Sequence, residues 1–425
     1  MNLFEAEIAN FERRIKKITE NPDKSRMYSN KMLYEIWLDY RKQQLKAWQD
    51  GKPFVYFAAD IPRLFRAIGL EIIHPNRTGD RAYFRAKTYL DLARNMGFPS
   101  NACDRIVIQA AIAISGDIPP PAFCVNYSGG CGNAMLASMA IARHFNVPYF
   151  TIDHPRENTY ESVNYVLGQL YDMIRLIEET VPGSRFDEKT LVRLQERDKK
   201  IEELRDQSLE IRKARPSPIG GRDALRLPPI EIDDPRLLEY TKFAGRELEE
   251  RVKKKVGALS EEKLRVYWLV TAPFFTDIFA YLASKGAATP LYEAGAGTHF
   301  HRTLGDDTQY SRHLSPLEEE AADLLTRTWS GPTEWRVDEI LTRCRQFDID
   351  ALVHCQQPGC VTCAGSWRVV ADQAEQELGI PSLYLDLACQ DVDRYNQKEI
   401  EAKINDFIDM CLVNKRASNK QGRGK

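Results

Sequence analysis

Twice along this chain a short apolar run closes on a loop, gives way to a helical pattern and returns to another apolar run. The first half reads FVYFAAD, IPRLFRAIGL, EIIHP, then AFCVNYSGGCG, AMLASMAIARHF and NVPYFTIDHP. The second half reads LRVYWLVTAP, TDIFAYLASKG, AATPLYEAG, then IDALVHC, SWRVVADQAEQELG and IPSLYLDLAC. Apolar runs that do not alternate with polar residues suit strands buried on both faces, and strands joined through helices run parallel. The pattern therefore predicts an α/β fold with two flavodoxin/Rossmann-like parallel-sheet domains.

Other stretches set the boundaries. Residues 1–50 are polar, with Phe4, Ile8, Phe11, Ile15, Met32, Leu33, Ile36 and Trp37 at helical spacing, which predicts one or two surface helices. Val163, Val166, Leu170, Met173, Ile174 and Ile177 mark a further helix, and a highly charged one is expected from about 187 to 213. RPSPIGGRDALRLPP then interrupts the chain with Pro and Gly and reads as a linker. The expected organisation is N-terminal helices over 1–50, a first α/β domain over 51–157, a helical region and Pro/Gly linker over 158–254, and a second α/β domain over 255–425.

Bulk properties exclude several classes. Lys+Arg 59 against Asp+Glu 61 gives a net charge of -2, which supplies no basic field for nucleic acid. No run approaches the roughly 18 uninterrupted apolar residues of a membrane helix. The start, MNLFEAEIANFERRIKK, has no apolar core of the kind that marks a secretion signal, so a cytoplasmic location is expected. There is no GxxxxGK[ST] phosphate loop, and the GAG of AGAGTHFHRT is too short for a dinucleotide fingerprint.

In that compartment nine cysteines call for an explanation, because disulfides seldom persist there and clustered thiols read as metal or redox ligands. Cys131 follows a strand in SGGCG, and Cys360 holds the corresponding place in PGCVT of the second half. Carboxyl ends of parallel strands are where open α/β sheets put their sites, and a helix N-terminus favours the thiolate that binds metal. Cys355, Cys360 and Cys363, with Cys389 beyond, match the spacing of plant-type ferredoxins, whereas zinc would want two close pairs and only Cys360–Cys363 has CxxC spacing. Cys344 and Cys411 in helical patterns and Cys124 within a strand are expected to be buried apolar residues.

Taken together, these segments resemble the iron–sulfur subunits of the 2-hydroxyacyl-CoA dehydratase / benzoyl-CoA reductase family. The likeness rests on FPSNACDRI, on PPPAFCVNYSGGCGNAMLASMAIARHFNVPYFTIDHP, on ARPSPI, on LRVYWLVTAPFFTDIFAYLASKGA, and on DIDALVHCQQPGCVTC with GIPSLYLDL and DRYNQKEIEAKINDFIDM. It implies a 4Fe-4S cluster held by Cys103, Cys131 and Cys360, with one iron left open. It also implies a homologous iron–sulfur partner subunit in a heterodimer core, an acyl-CoA substrate, and a separate ATP-dependent iron–sulfur activator that donates electrons, so that ATP is handled only by a partner protein. The linker ARPSPI and the C-terminal segment are closer to the benzoyl-CoA reductase branch, which reduces an aromatic acyl-CoA by single electrons. An (R)-2-hydroxyacyl-CoA dehydratase acting through a ketyl radical is the alternative. Cys355, Cys363 and Cys389 depart from the family pattern as additional candidate ligands, and they keep a double-cubane cluster or a closed electron-transfer site open. The alternative from another class is a non-catalytic electron-transfer or scaffold subunit, its cluster closed by a fourth Cys such as Cys363 or Cys389, and behind it comes a zinc-stabilised structural protein.

Several further residues are candidates for substrate contacts. Asp60 closes the first strand and reads either as facing the acyl-CoA site or as a helix N-cap. Tyr127 and Ser128, beside Cys131, are placed to hydrogen-bond cluster or thioester, or to build the turn. His299 and His301 lie on a glycine-bearing loop after a strand, and His354 at a strand end is placed to ligate or relay a proton.

Overall fold

A computed structural model describes residues 1–57, 61–226, 228–293, 313–326, 331–360 and 365–422. Asp60, His299, His301 and Cys363 lie outside the described residues.

Every apolar run named above becomes a strand. The first sheet contains β1 (Phe54–Phe57), β2 (Glu71–Ile73), β3 (Pro121–Tyr127) and β4 (Tyr149–Ile152), all parallel, in the order β2-β1-β3-β4. The second contains β5 (Leu264–Val270), β6 (Ala287–Tyr292), β7 (Ala351–Gln356) and β8 (Ser382–Asp386), again parallel, in the order β6-β5-β7-β8. The two orders are the same permutation. β7 is therefore the counterpart of β3, and the loops that follow them, carrying Cys360 and Cys131, occupy equivalent places. β1, β5, β6 and β7 are buried along their whole length, which explains why their sequences are apolar without alternation.

In chain order the helices are α1 (Leu3–Glu20), α2 (Asn30–Gln49), α3 (Pro62–Ala67), α4 (Pro75–Arg81), α5 (Ala86–Asn95), α6 (Asp104–Ser115), α7 (Gly132–Phe145), α8 (Tyr160–Thr180), α9 (Glu188–Arg212), α10 (Arg236–Lys253), α11 (Ile278–Ser284), α12 (Pro316–Leu325), α13 (Thr333–Gln346), α14 (Trp367–Leu378) and α15 (Gln397–Gly422). Their ends follow local chemistry. Asn2 and Glu5 close a capping box on α1, Asp187 caps α9, and left-handed Gly116, Asn146 and Gly379 stop α6, α7 and α14.

The N-terminal hairpin is more deeply engaged than the expected surface helices. Phe11 stacks on Trp37, Phe4 meets the edge of Trp48, and the Arg41–Glu7 ion pair at 2.8 Å is buried beneath the Phe4 ring. A single apolar stripe leaves room for such a pair only when a second layer of structure covers it, and that layer is α4, whose Arg81 lies over Trp37. The Pro/Gly segment after α9 is likewise packed rather than loose, with Ser217, Ile219, Asp223 and Ala224 all buried.

α12 follows β6 in the chain, yet Leu317, Ala321, Leu324 and Leu325 complete the apolar core under the first sheet, alongside Val163, Val166 and Leu170 of α8. Arg63 of α3 fixes it there by a 2.8 Å ion pair to fully buried Glu320.

Arg265 of β5 joins the helical region to the second sheet. It is fully buried, donates to Glu262 at 2.7 Å, to the carbonyls of Lys213 and Phe347 at 3.0 and 3.1 Å, and to the carbonyl of Ala214. Removing it leaves three carbonyls without their donor and the buried Glu262 with only Arg215 and the Ser217 amide. Arg265→Met is expected to cost about 3 kcal/mol or more, read as a lower urea midpoint with the slope unchanged.

Candidate functional site

The site is built around one turn. Gly359, just before Cys360, has φ +76°, and a Cβ there would lie 2.5 Å from the carbonyl oxygen of Asn101 and 2.6 Å from the amide nitrogen of Cys103. The loop after β7 thus rests backbone against backbone on the start of α6, an approach that only glycine permits. From the other side Asn133, in the first turn of α7, donates its side-chain amide to the Gly359 carbonyl at 2.9 Å. Cys103 is the N-cap of α6 and Cys131 the N-cap of α7. One turn therefore gathers the segments bearing Cys103, Cys131 and Cys360, two from the first sheet and one from the second.

Cys131 is aimed by the turn before it. A Cβ on Gly129 would lie 2.4 Å from the His154 ring, and one on Gly130 3.0 Å from the Tyr127 ring. Ser128 accepts from the His154 amide at 2.8 Å and donates to Asp153 at 3.0 Å. Ser128 is thus spent on holding the turn, while Tyr127 is a buried wall behind it.

Cys131 and Cys360 are partly exposed, whereas Cys103 is 4% exposed. Burial, with the charges of Asp104 and Cys360 nearby, pushes the Cys103 thiol up to about 12. The helix N-terminus, expected to favour thiolates, is outweighed there by loss of water. As it stands Cys103 is a thiol, and a strong Lewis acid is what would deprotonate it.

Cys355 and Cys389 sit deeper. Both are fully buried, Cys355 on β7 and Cys389 in the loop after β8, and burial pushes both thiols upward. The Cys389 sulfur lies 3.5 Å from the Thr271 hydroxyl, and its amide donates to Gln357 at 2.7 Å. Cys124, Cys344 and Cys411 are buried as expected. Among the described residues no three His, Cys, Asp or Glu side chains are gathered tightly enough to hold a single metal ion.

Sequence reasoning missed Asp104. Its carboxylate accepts from the amides of Gln390 at 2.9 Å and Asp391 at 2.8 Å, so the residue after Cys103 ties α6 to the loop after β8. An acid in the first turn of a helix is ordinary, and only the partner across the cleft gives it meaning. Also missed was the Glu293–Arg336 pair, buried at 2.6 Å, with Glu293 accepting from the Val270 amide at 2.6 Å. Val270, β-branched yet at φ +73°, ends β5 in a strained conformation that this carboxylate holds.

A family model described as 2-hydroxyglutaryl-CoA dehydratase, D-component, matches residues 62–411. The chain belongs to this family. The match covers seven of the eight strands, all but β1, together with Cys103, Cys131 and Cys360, and the family is the 2-hydroxyacyl-CoA dehydratase / benzoyl-CoA reductase family resembled in sequence. Among curated proteins none matches the chain. This dehydratase family is one of enzyme subunits that in general carry an iron–sulfur cluster and imply a heterodimeric partner and an activator. Among the described residues no helix is long and apolar enough to cross a membrane.

His354 lies on β7, 1% exposed, with neither ring nitrogen hydrogen-bonded among the described residues. Burial, aided by Arg336 and opposed by Glu293, pushes it down to about 4. The unfolded chain takes up this proton near pH 6.5, the folded chain only near 4. Stability therefore falls as pH drops through that window, by about 3 kcal/mol in all. His354→Leu is expected to flatten the loss, measured as urea midpoints between pH 7 and 4. Gly359→Ala, which sets a methyl against the α6 backbone at a positive φ, is expected to cost about 1–3 kcal/mol, checked by the thermal midpoint.

Proposed function

We propose that Cys103, Cys131 and Cys360 hold a 4Fe-4S cluster, and that the chain is the iron–sulfur subunit of an ATP-driven, low-potential acyl-CoA reductase most like benzoyl-CoA reductase. The observation that carries this reading is the Gly359 turn, which brings the three cysteine-bearing segments together between two parallel sheets. The donor set suits the group: three thiols, two of them partly exposed, with a backbone cradle too narrow for any side chain. When bound, the cluster supplies single low-potential electrons and one iron without a protein thiolate.

The rest of the chemistry is the protein's. The loops after β3 and β7, at the carboxyl ends of interior strands, are the place for an acyl thioester. The Ser128–Asp153–His154 turn leads into Cys131 at the start of α7, and Asp104 ties α6, with Cys103 at its N-cap, to the loop after β8. Tyr127 closes the inner side of the Cys131 turn with an apolar ring, which limits water there. Electrons enter from an activator that hydrolyses ATP, and a homologous subunit completes the catalytic unit. The lean to the reductase branch rests on ARPSPI and the C-terminal helix segment, and dehydration of an (R)-2-hydroxyacyl-CoA is the second outcome of the same test.

Anaerobically purified chain is expected to carry about four iron and four sulfide and to be brown, bleaching in air. Cys131→Ser and Cys103→Ser are each expected to lose most of it, and Cys344→Ser to keep it. About eight of each would instead indicate the double cluster. A colourless chain after anaerobic reconstitution would overturn the reading. Assay of the loaded chain with partner and activator on benzoyl-CoA and on 2-hydroxyacyl-CoA separates reductase from dehydratase.

A further inference from the structure

Far from the cysteines, the helical region encloses a cavity of about 40 Å³ between α9, α10, the start of α2 and the segment that links α9 to α10. A water needs roughly 10–15 Å³ on this measure. The space accommodates a few water-sized atoms and is far too small for coenzyme A. Its lining is unusual in charge: Arg205, Arg212 and Arg226 against one carboxylate, Asp223.

That carboxylate is already committed. Asp223 pairs with Arg26 at 2.9 Å, and accepts from the Met27 amide and the Asn30 side chain, each at 2.9 Å. Asp277, the next acid along, lies 3.7 Å from both Arg26 and Arg222. Arg205 has acids of its own helix nearby, Glu202, Asp206 and Asp198. Arg226 donates to the Tyr34 hydroxyl at 2.6 Å, a neutral partner that also accepts from Arg14 at 3.1 Å. Arg212 is 8% exposed, and its one hydrogen bond among the described residues is a 3.3 Å contact with the Ala224 carbonyl. In all three guanidinium groups the Nε–H is buried without a partner among the described residues.

Arg212 is the least compensated of the three, a buried cation short of counter-charge is costly, and guanidinium groups lining one cavity are a usual answer to an anion. The field is felt at two neighbours. Burial raises the Tyr34 hydroxyl, yet Arg226 and Arg14 outweigh it and the net direction is down. Burial and the like charge of Arg205 push Arg212 down to about 10, against the opposing pull of Tyr240 and Asp223, whereas at Arg226 burial is outweighed by Tyr34, Asp223, Tyr240 and Asp277 and the net direction is up.

We infer that this cavity binds one small monovalent anion, a halide or a formate-sized carboxylate, held by the guanidinium groups of Arg205, Arg212 and Arg226. The anion neutralises the junction where α9, α10 and the N-terminal hairpin meet, and it is a structural ligand independent of whatever the cysteines hold.

The test uses the full chain in sodium bromide, sodium chloride or sodium formate, against sodium gluconate at equal ionic strength, gluconate being too large to enter. The thermal midpoint is expected to rise by roughly 2 °C for each tenfold increase of a small anion above its dissociation constant, and not in gluconate. Arg212→Met should abolish that dependence while leaving the gluconate midpoint unchanged or higher, because an apolar side chain there needs no counter-ion. Bromide and formate arms tell halide from carboxylate. Crystals of the unaltered chain grown in bromide should show an anomalous peak in the cavity, a readout that survives if Arg212→Met or Arg226→Met fails to fold. Equal midpoints in all salts, the same salt response in Arg212→Met, or waters alone in the cavity would each overturn the inference.

Discussion

The close approach of Gly359 to the backbone of residues 101–103 is the constraint on which the architecture turns. Two parallel sheets can pack in many relative poses, because apolar surface is indifferent to a small slide. A glycine carbonyl and α-carbon seated against another backbone, with no side chain between, tolerates much less. The Asn133 hydrogen bond and the two amides on Asp104 fix the same junction from its other sides. Three cysteines far apart in the chain inherit their relation from these contacts rather than from any link among themselves.

Much of this was legible in the sequence. All eight strands appear as apolar runs; in β1, β5, β6 and β7 both faces are covered and no polar face interrupts them, whereas the outer strands β4 and β8 are partly exposed. The equivalence of Cys131 and Cys360 was legible too, since each follows the same strand of its sheet. The helix after Cys360 was legible as well: SWRVVADQAEQELG becomes α14, Trp367–Leu378, with Gly379 at its end. Cys103 entered through family likeness alone, as a cysteine ahead of an amphipathic helix has no distinctive spacing.

What the sequence hid is mostly pairing at a distance. Arg265 reads as an oddity inside an apolar strand, and its partners lie at the end of α9, in the loop before β5 and after α13. Glu7 and Arg41 look like solvated helix charges, since periodicity reports which face a residue is on but not what later covers that face. Asp104, Glu293 and Arg336 are ordinary residue types at ordinary places. Each becomes informative only when a second element, remote in sequence, presents an amide or an opposite charge. Ser128 reads in sequence either as a cluster or thioester contact or as a turn residue, and its hydroxyl makes the turn's own hydrogen bonds to Asp153 and His154.

The placement of α12 has a consequence for how the chain acquires its structure. The first sheet is encoded by residue 152, but the apolar layer beneath it is finished by Leu317, Ala321, Leu324 and Leu325. During synthesis the first sheet must wait, its underside partly open, until β5, β6 and the chain beyond them have left the ribosome. Cutting the chain between its two sheets would leave one half with an uncovered core and the other with an orphaned helix. The two halves repeat one plan, yet neither is a unit that can be inherited, truncated or fused without the other.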